Sequence, residues 1–314
     1  MQFSVYQQSH IGGRKLNQDR MGYLYTREAL LLVLADGMGG HLRGEVAATI
    51  ALQSLAARFK AQATPYVRKP ERFLEEGLQQ AHADIMRYTR EHAMPDSPRT
   101  TIVACLVQHN CAVWAHCGDS RMYWLRRGQI LGRTRDHSHI EYLIAKGQAD
   151  ASERATHPDR NKLYNCLGAS TPPKVELSRQ ASLQPGDVLL LCSDGLWSVL
   201  PDTEIAHRLA TQSIVQAVPE LVAMATSIAG SRGDNTTALA IQWQGAAAAP
   251  DAGDPSVVST QMLPEGEVTS RIDAPAAPAP TSDDPFDEDD IEKAIAEIRD
   301  AIEKSSQILK PTDN

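Results

Sequence analysis

The 314-residue chain has five cysteines, none paired at C-x-x-C spacing, and only 5% aromatic residues. Without such pairs it carries no zinc-ribbon or thioredoxin-like motif. Cys105, Cys111, Cys117, Cys166 and Cys192 are odd in number and sit mostly inside apolar runs. They read as buried free thiols, which suits a reducing compartment. No basic stripe is interleaved with aromatics, so a nucleic-acid partner is not expected. No apolar run approaches the ~20 residues of a membrane span. The start, M-Q-F-S-V-Y-Q-Q-S-H, has neither the basic nor the apolar region of a signal peptide. A cytoplasmic protein with no membrane partner is the expectation.

Acidity is missing from most of the chain as well, although the total charge is −8. From Gly245 to Asn314 there are 16 acidic against five basic residues, a net of −11. The remainder holds 23 acids and 26 bases, a net of +3. The negative charge belongs to the tail, and the slightly positive body suits an anionic substrate.

Composition divides the chain in three. Residues 1–244 read as one α+β domain, with strands and helices in blocks rather than in strict alternation. Strands are predicted at 30–35, 101–107, 111–117, 121–126, 187–193 and 236–243, and helices at 44–61, 70–93, 138–147, 202–211 and 214–229. The strands at 111–117 and 121–126 read as a hairpin joined by Gly118-Asp119-Ser120, and 150–186 as an irregular flap. Residues 245–286, rich in Ala, Pro and Asp, read as a disordered linker. Over 287–310, Ile291, Ile295, Ile298, Ile302 and Leu309 form an apolar seam. This predicts an amphipathic helix that needs a docking surface, on another protein or on its own body.

What the body does contain is a recurring unit, an apolar strand-like run ending in aspartate beside a small residue. Leu30–Ala35 runs into Asp36-Gly37, Cys111–Cys117 into Gly118-Asp119, and Val188–Ser193 into Asp194-Gly195. Carboxylates gathered at the edge of a buried sheet repel one another unless cations neutralise them. With Asp19 and Asp234 they form an oxygen-only set. That set suits Mg²⁺ or Mn²⁺ and argues against zinc. Two such ions acidify a bridging water and polarise a phosphoryl group for in-line attack. An arginine is then wanted for the phosphate oxygens, and Arg14 lies shortly before Asp19.

The ordered motifs are G-G-R-K-L-N-Q-D (12–19), A-D-G-M-G-G-H (35–41), T-T (100–101), G-D-S-R (118–121) and T-R-D-H-S (134–138). They continue with N-K-L-Y-N-C-L-G (161–168), C-S-D-G-L-W (192–197) and G-D-N-T-T (233–237). Together they resemble the metal-dependent protein serine/threonine phosphatases of the protein phosphatase 2C (PPM) family, bacterial branch. The resemblance implies an αββα sandwich of two antiparallel sheets. It also implies hydrolysis of phosphoserine and phosphothreonine by a metal-activated bridging water, reversing a bacterial Ser/Thr kinase. By the same resemblance Asp36 bridges two metals and Gly37 offers its carbonyl to one of them. Asp194 and Asp234 ligate the first metal, and Asp19 holds the waters of the second. Asn235 supports the site, Arg14 binds phosphate, and Asp119 ligates a third, weaker metal.

Two positions depart from the pattern. Met38 stands where many eukaryotic members have a proton-donating His, which leaves His41 and His137 as nearby donors, each more readily read as structural. Ser198 stands where some relatives have a further third-metal carboxylate. The alternative to an enzyme is a phosphatase-like binding or scaffold module with the 287–310 helix as its interaction element.

Overall fold

The structure, a computed structural model, describes residues 1–38, 43–155, 157–159 and 162–245. His41, the helix expected over 287–310 and all but the first residue of the expected 245–286 linker lie outside the described residues.

In chain order the elements are β1 (Gln2–His10), β2 (Arg20–Tyr25), β3 (Ala29–Ala35), α1 (Gly44–Gln62), α2 (Pro70–Glu91), β4 (Ile102–Gln108), β5 (Cys111–Cys117) and β6 (Arg121–Arg126). They continue with β7 (Gln129–Arg133), α3 (His139–Ala145), β8 (Glu176–Leu177), β9 (Ala181–Ser182), β10 (Val188–Cys192), α4 (Asp194–Trp197), α5 (Asp202–Thr211), α6 (Ile214–Ala229) and β11 (Thr236–Gly245). One antiparallel sheet runs β1-β11-β10-β6-β7 and the other β2-β3-β4-β5-β8, with β9 also on β5. Helices α1 and α2 cover the second sheet, and α4 and α6 the first.

Period-2 alternation explains why both faces of β3 are apolar. Leu31 and Val33 pack under α1 and α2, while Leu30, Leu32 and Leu34 meet Leu189, Leu191, Leu239 and Trp243 between the sheets. On α2, Phe73, Leu74, Leu78, Ala81 and Ile85 form the buried stripe. Gly77 lets α1 come close, because a Cβ there would lie 2.5 Å from Leu55 Cδ2. The stretch Ile214–Arg232 has the length and apolarity of a membrane span. Its buried residues, among them Val218, Leu221 and Val222, belong to the core that packs α6 on the first sheet.

The expected hairpin is not formed. β5 pairs with β4 in one sheet and β6 with β10 in the other, so Gly118-Asp119-Ser120 crosses between sheets. Gly118 has φ +118°, and a Cβ on it would lie 2.5 Å from Thr101 Cβ. Strands β1, β2 and β7 were absent from the sequence reading. β1 is a polar edge strand of Gln, Ser and His, β2 carries Arg20 and Gly22, and β7 is largely exposed. Among its described residues the 150–186 stretch holds a short 3-10 turn and the two-residue strands β8 and β9.

Strand register brings the aspartates together. Arg20 pairs with Ala35, so Asp19 and Asp36 leave the same end of β2 and β3. Ile102 pairs with Cys117, which puts Thr101 and Gly118 at that end too. In the other sheet Cys192 pairs with Arg121 and Ala238, and His10 with Thr236. Asp119, Asp194, Asp234 and the loop after β1 are thereby placed at one end of the sandwich.

Candidate metal centre and active site

Asp36 leaves β3 with its backbone held on both sides. Its N–H donates to Thr101 Oγ1 at 3.2 Å, and its carbonyl accepts from Thr100 Oγ1 at 2.8 Å and Thr101 N at 2.9 Å. Gly37 must be glycine, since a Cβ would lie 2.5 Å from the Gly44 carbonyl carbon. Asp19 is buried, with Oδ2 accepting from Ser193 Oγ at 2.8 Å and Oδ1 without a hydrogen-bond partner. Ser193 also receives Thr237 N at 3.0 Å, so one hydroxyl ties β11 to the residue before β2.

Asn235 braces the loop after β1. Its Nδ2 donates to the carbonyls of Ile11 at 2.8 Å and Leu16 at 3.1 Å, and its Oδ1 accepts from Gln18 N at 2.8 Å. Arg14, on that loop, forms a bidentate pair with Asp234 at 2.9 and 2.6 Å. Asp194 opens α4, where Gly195 is required because a Cβ would lie 2.1 Å from the Asn235 carbonyl oxygen.

Burial first, and then the neighbouring carboxylates, hold Asp36 and Asp194 well above the usual carboxylate range. The neighbours that push Asp36 up are Asp19, Asp194, Asp119 and Asp234. Burial raises Asp19 to about 6, and burial with Asp136 nearby raises Asp119 to about 7. Such crowding is unfavourable in a bare site and favourable around divalent cations. The unpartnered Oδ1 of Asp19 and the all-oxygen set fit Mg²⁺ or Mn²⁺. Ser198 is exposed and only closes the end of α4, where its N–H donates to Asp194 O at 2.9 Å.

His137 does not carry a spare proton. Its Nδ1 accepts from Gly118 N at 3.1 Å and faces Asn165 Nδ2 at 2.7 Å, so the ring proton sits on Nε2, 3.3 Å from Glu176. Burial, with His116 beside it, lowers its pKa to about 4. His116, His137 and Glu176 bring potential ligand atoms within 4.8 Å of one another. A protonated Nε2 and rings stacked with an interplanar angle of 19° leave no shared lone-pair direction for a cation.

The other quoted motif residues are architectural. Arg121 of G-D-S-R forms a buried bidentate pair with Asp136 of T-R-D-H-S at 2.9 and 2.8 Å. Its guanidinium lies 3.7 Å from the centre of the Trp197 ring, on the helix that Asp194 opens. The sequence reading assigned no role to Ser193, Thr100 or Thr101. The T-T and C-S-D-G motifs contained them, but a supporting hydroxyl has no spacing signal of its own. The cysteines are free, and Cys105, Cys117, Cys166 and Cys192 are buried.

Comparison with known proteins agrees with this geometry. The family described as Protein phosphatase 2C matches residues 6–230. The serine/threonine phosphatase stp of Listeria monocytogenes is 30% identical over 232 residues, 73% of this chain and 91% of that protein. The solved structure of the serine/threonine phosphatase Stp1 from Staphylococcus aureus has a TM-score of 0.71 at 31% identity, covering 78% of this chain and 96% of that one. The catalytic domain of the phosphatase PstP, solved with two manganese ions, has a TM-score of 0.64 at 27% identity and covers 76% of this chain and 97% of its own. The chain therefore belongs to the protein phosphatase 2C family, as a serine/threonine protein phosphatase of its bacterial branch.

Proposed function

We propose that the chain hydrolyses phosphoserine and phosphothreonine in proteins at a two-metal centre, with Mn²⁺ or Mg²⁺ as the ions, and that it reverses a Ser/Thr kinase in the same cytoplasmic pathway. Asp36, Asp194 and Asp234 would hold the first ion and Asp19 with Asp36 the second, with the Gly37 carbonyl offered to one of the two. Two such ions, when bound, neutralise the carboxylates, polarise the phosphoryl group and make water nucleophilic near neutral pH.

The chain's own residues do the rest. Thr100 and Thr101 fix the Asp36 backbone, and Ser193 fixes one oxygen of Asp19, leaving the other free. Asn235 holds the loop that presents Arg14 beside Asp234. The arginine fork that now grips a carboxylate has the planar geometry to grip two phosphate oxygens. Water attacks phosphorus, the ester P–O bond breaks, and the departing serine or threonine oxygen takes a proton from solvent or from His41, with Met38 and the neutral His137 supplying none. Asp119 would serve a third, weaker ion, with Ser198 contributing no carboxylate. The 287–310 helix would dock on a protein partner.

The observation that carries this reading is the convergence of Asp19, Asp36, Asp119, Asp194 and Asp234 on one sheet end, each of the first four pushed upward in pKa. Purified protein should dephosphorylate a phosphothreonine peptide with added Mn²⁺, and Asp36→Asn or Asp194→Asn should abolish both turnover and calorimetric Mn²⁺ binding. Turnover without metal, or turnover surviving both substitutions, would sink the mechanism.

A further inference from the structure

A second concentration of charge lies away from the aspartates. A cavity of about 450 Å³ opens between the end of α1 and the start of α2. Arg58, Arg68, Lys69 and Arg72 line it, with Glu76 as its one acidic residue and Tyr66 on its wall. Glu76 is shared by Arg58 and Arg72. Among the described residues, Arg68 and Lys69 have no acidic partner, and the Nε of Arg58 is buried without an acceptor. Lys69 precedes the first turn of α2 and caps none of its amides through its side chain. Four cations against one carboxylate, with an unsatisfied guanidinium N–H beneath, make a place for a compact dianion.

The cavity is remote from the catalytic end. Gly44, the first residue of α1, abuts Gly37, whereas Arg58 and Gln62 stand at the other end of the helix. At ~1.5 Å per residue the separation is roughly 20–27 Å. An extended peptide covering ~3.3 Å per residue needs about six to eight residues to reach across.

We propose that this cavity is a second phosphate site, which holds one phosphorylated residue of a protein substrate while another, about ten residues away, is hydrolysed. The inference rests on the phosphatase reading for its substrate class, but the cavity's affinity for phosphate does not depend on turnover. Inorganic phosphate and a phosphorylated side chain share the chemistry, and peptide arms separate them.

The test uses the full chain with Mn²⁺ and phosphothreonine peptides phosphorylated once, twice with about ten residues between, or twice with about three between. The expected result is a KM about tenfold lower for the widely spaced double phosphopeptide, with kcat unchanged and no gain for the close pair. In Arg68→Ala/Lys69→Ala, two exposed positions outside the catalytic end, that advantage should vanish while the single phosphopeptide is hydrolysed as before. Equal KM values for all three peptides, or an advantage retained by the double variant, would overturn the proposal. Fluorescence anisotropy of the same peptides on metal-free protein reads the cavity even if turnover fails. Tighter binding of the widely spaced pair, lost in the variant, supports the site. Binding that ignores the second phosphate, or competition by inorganic phosphate that is unchanged in the variant, rejects it.

Discussion

Buried just before β2, Asp19 has one oxygen on Ser193 and the other on nothing. Burial holds its pKa at about 6 and that of Asp119 at about 7, against ~3.9 for an unfolded aspartate. Between those values the folded chain keeps protons that the unfolded chain has released. The stability these groups carry is therefore complete below about pH 4 and is lost as pH rises through 6 and 7. Metal-free protein should melt at falling temperature across that window, as read by thermal unfolding in EDTA. Asp119→Asn keeps the shape but removes one titrating group, so its melting temperature should fall less over the same range and exceed the parent's near pH 7. Mn²⁺ binds only the deprotonated folded set, so its stabilisation should be large near pH 7 and nearly absent near pH 4. A parent and variant that keep the same pH slope would contradict this account of Asp119.

At the scale of elements, the crossing from β5 to β6 matters most, because it carries Asp119 from one sheet to the other. Arg121 secures its exit by pairing with buried Asp136 and lying over Trp197 of α4. Arg121→Met would leave Asp136 charged, buried and alone, at a cost of about 3–5 kcal/mol. Urea unfolding should show that loss, and Arg121→Met/Asp136→Leu should recover part of it by replacing the ion pair with apolar packing. A double variant no more stable than the single one would show that the loss does not come from a stranded Asp136 carboxylate. This crossing was also the place where the sequence misled. Gly118-Asp119-Ser120 between two apolar runs has the local chemistry of a hairpin turn, and which sheet each run joins is a tertiary matter. The apolar strands β3, β4 and β10 were legible because both their faces are covered. Edge strand β1 was not, since its Gln- and Ser-rich sequence gains its register from Thr236–Gly245 far along the chain. The aspartates themselves were legible from motif order, whereas Ser193 and Thr101, which aim them, became visible only with the fold.

For the whole molecule, the described sandwich is closed by its own first and last strands. Gln2 pairs with Gly245 and His10 with Thr236, so β11 lies between β1 and β10 as an interior strand. Every aspartate of the catalytic end, with Arg14 and Asn235, precedes Gly245 in the chain. Among the described residues the three apolar cores draw on side chains up to Trp243. Residues 246–314 hold 16 of the 39 acidic residues against five basic ones, a net of −11. A chain ending at Gly245 should fold with an unfolding midpoint close to that of the full protein. It should hydrolyse a small aryl phosphate within about twofold of the full-length kcat/KM, a change under ~0.5 kcal/mol in transition-state stabilisation. Its net charge of about +3 instead of −8 should matter for large anionic partners and little for a small substrate. Comparing the two chains on an aryl phosphate and on a phosphoprotein separates these effects. A large gain on both substrates would mean that the tail restrains the catalytic end, and a large loss on both that the sandwich needs more than its own strands to hold the aspartates in place.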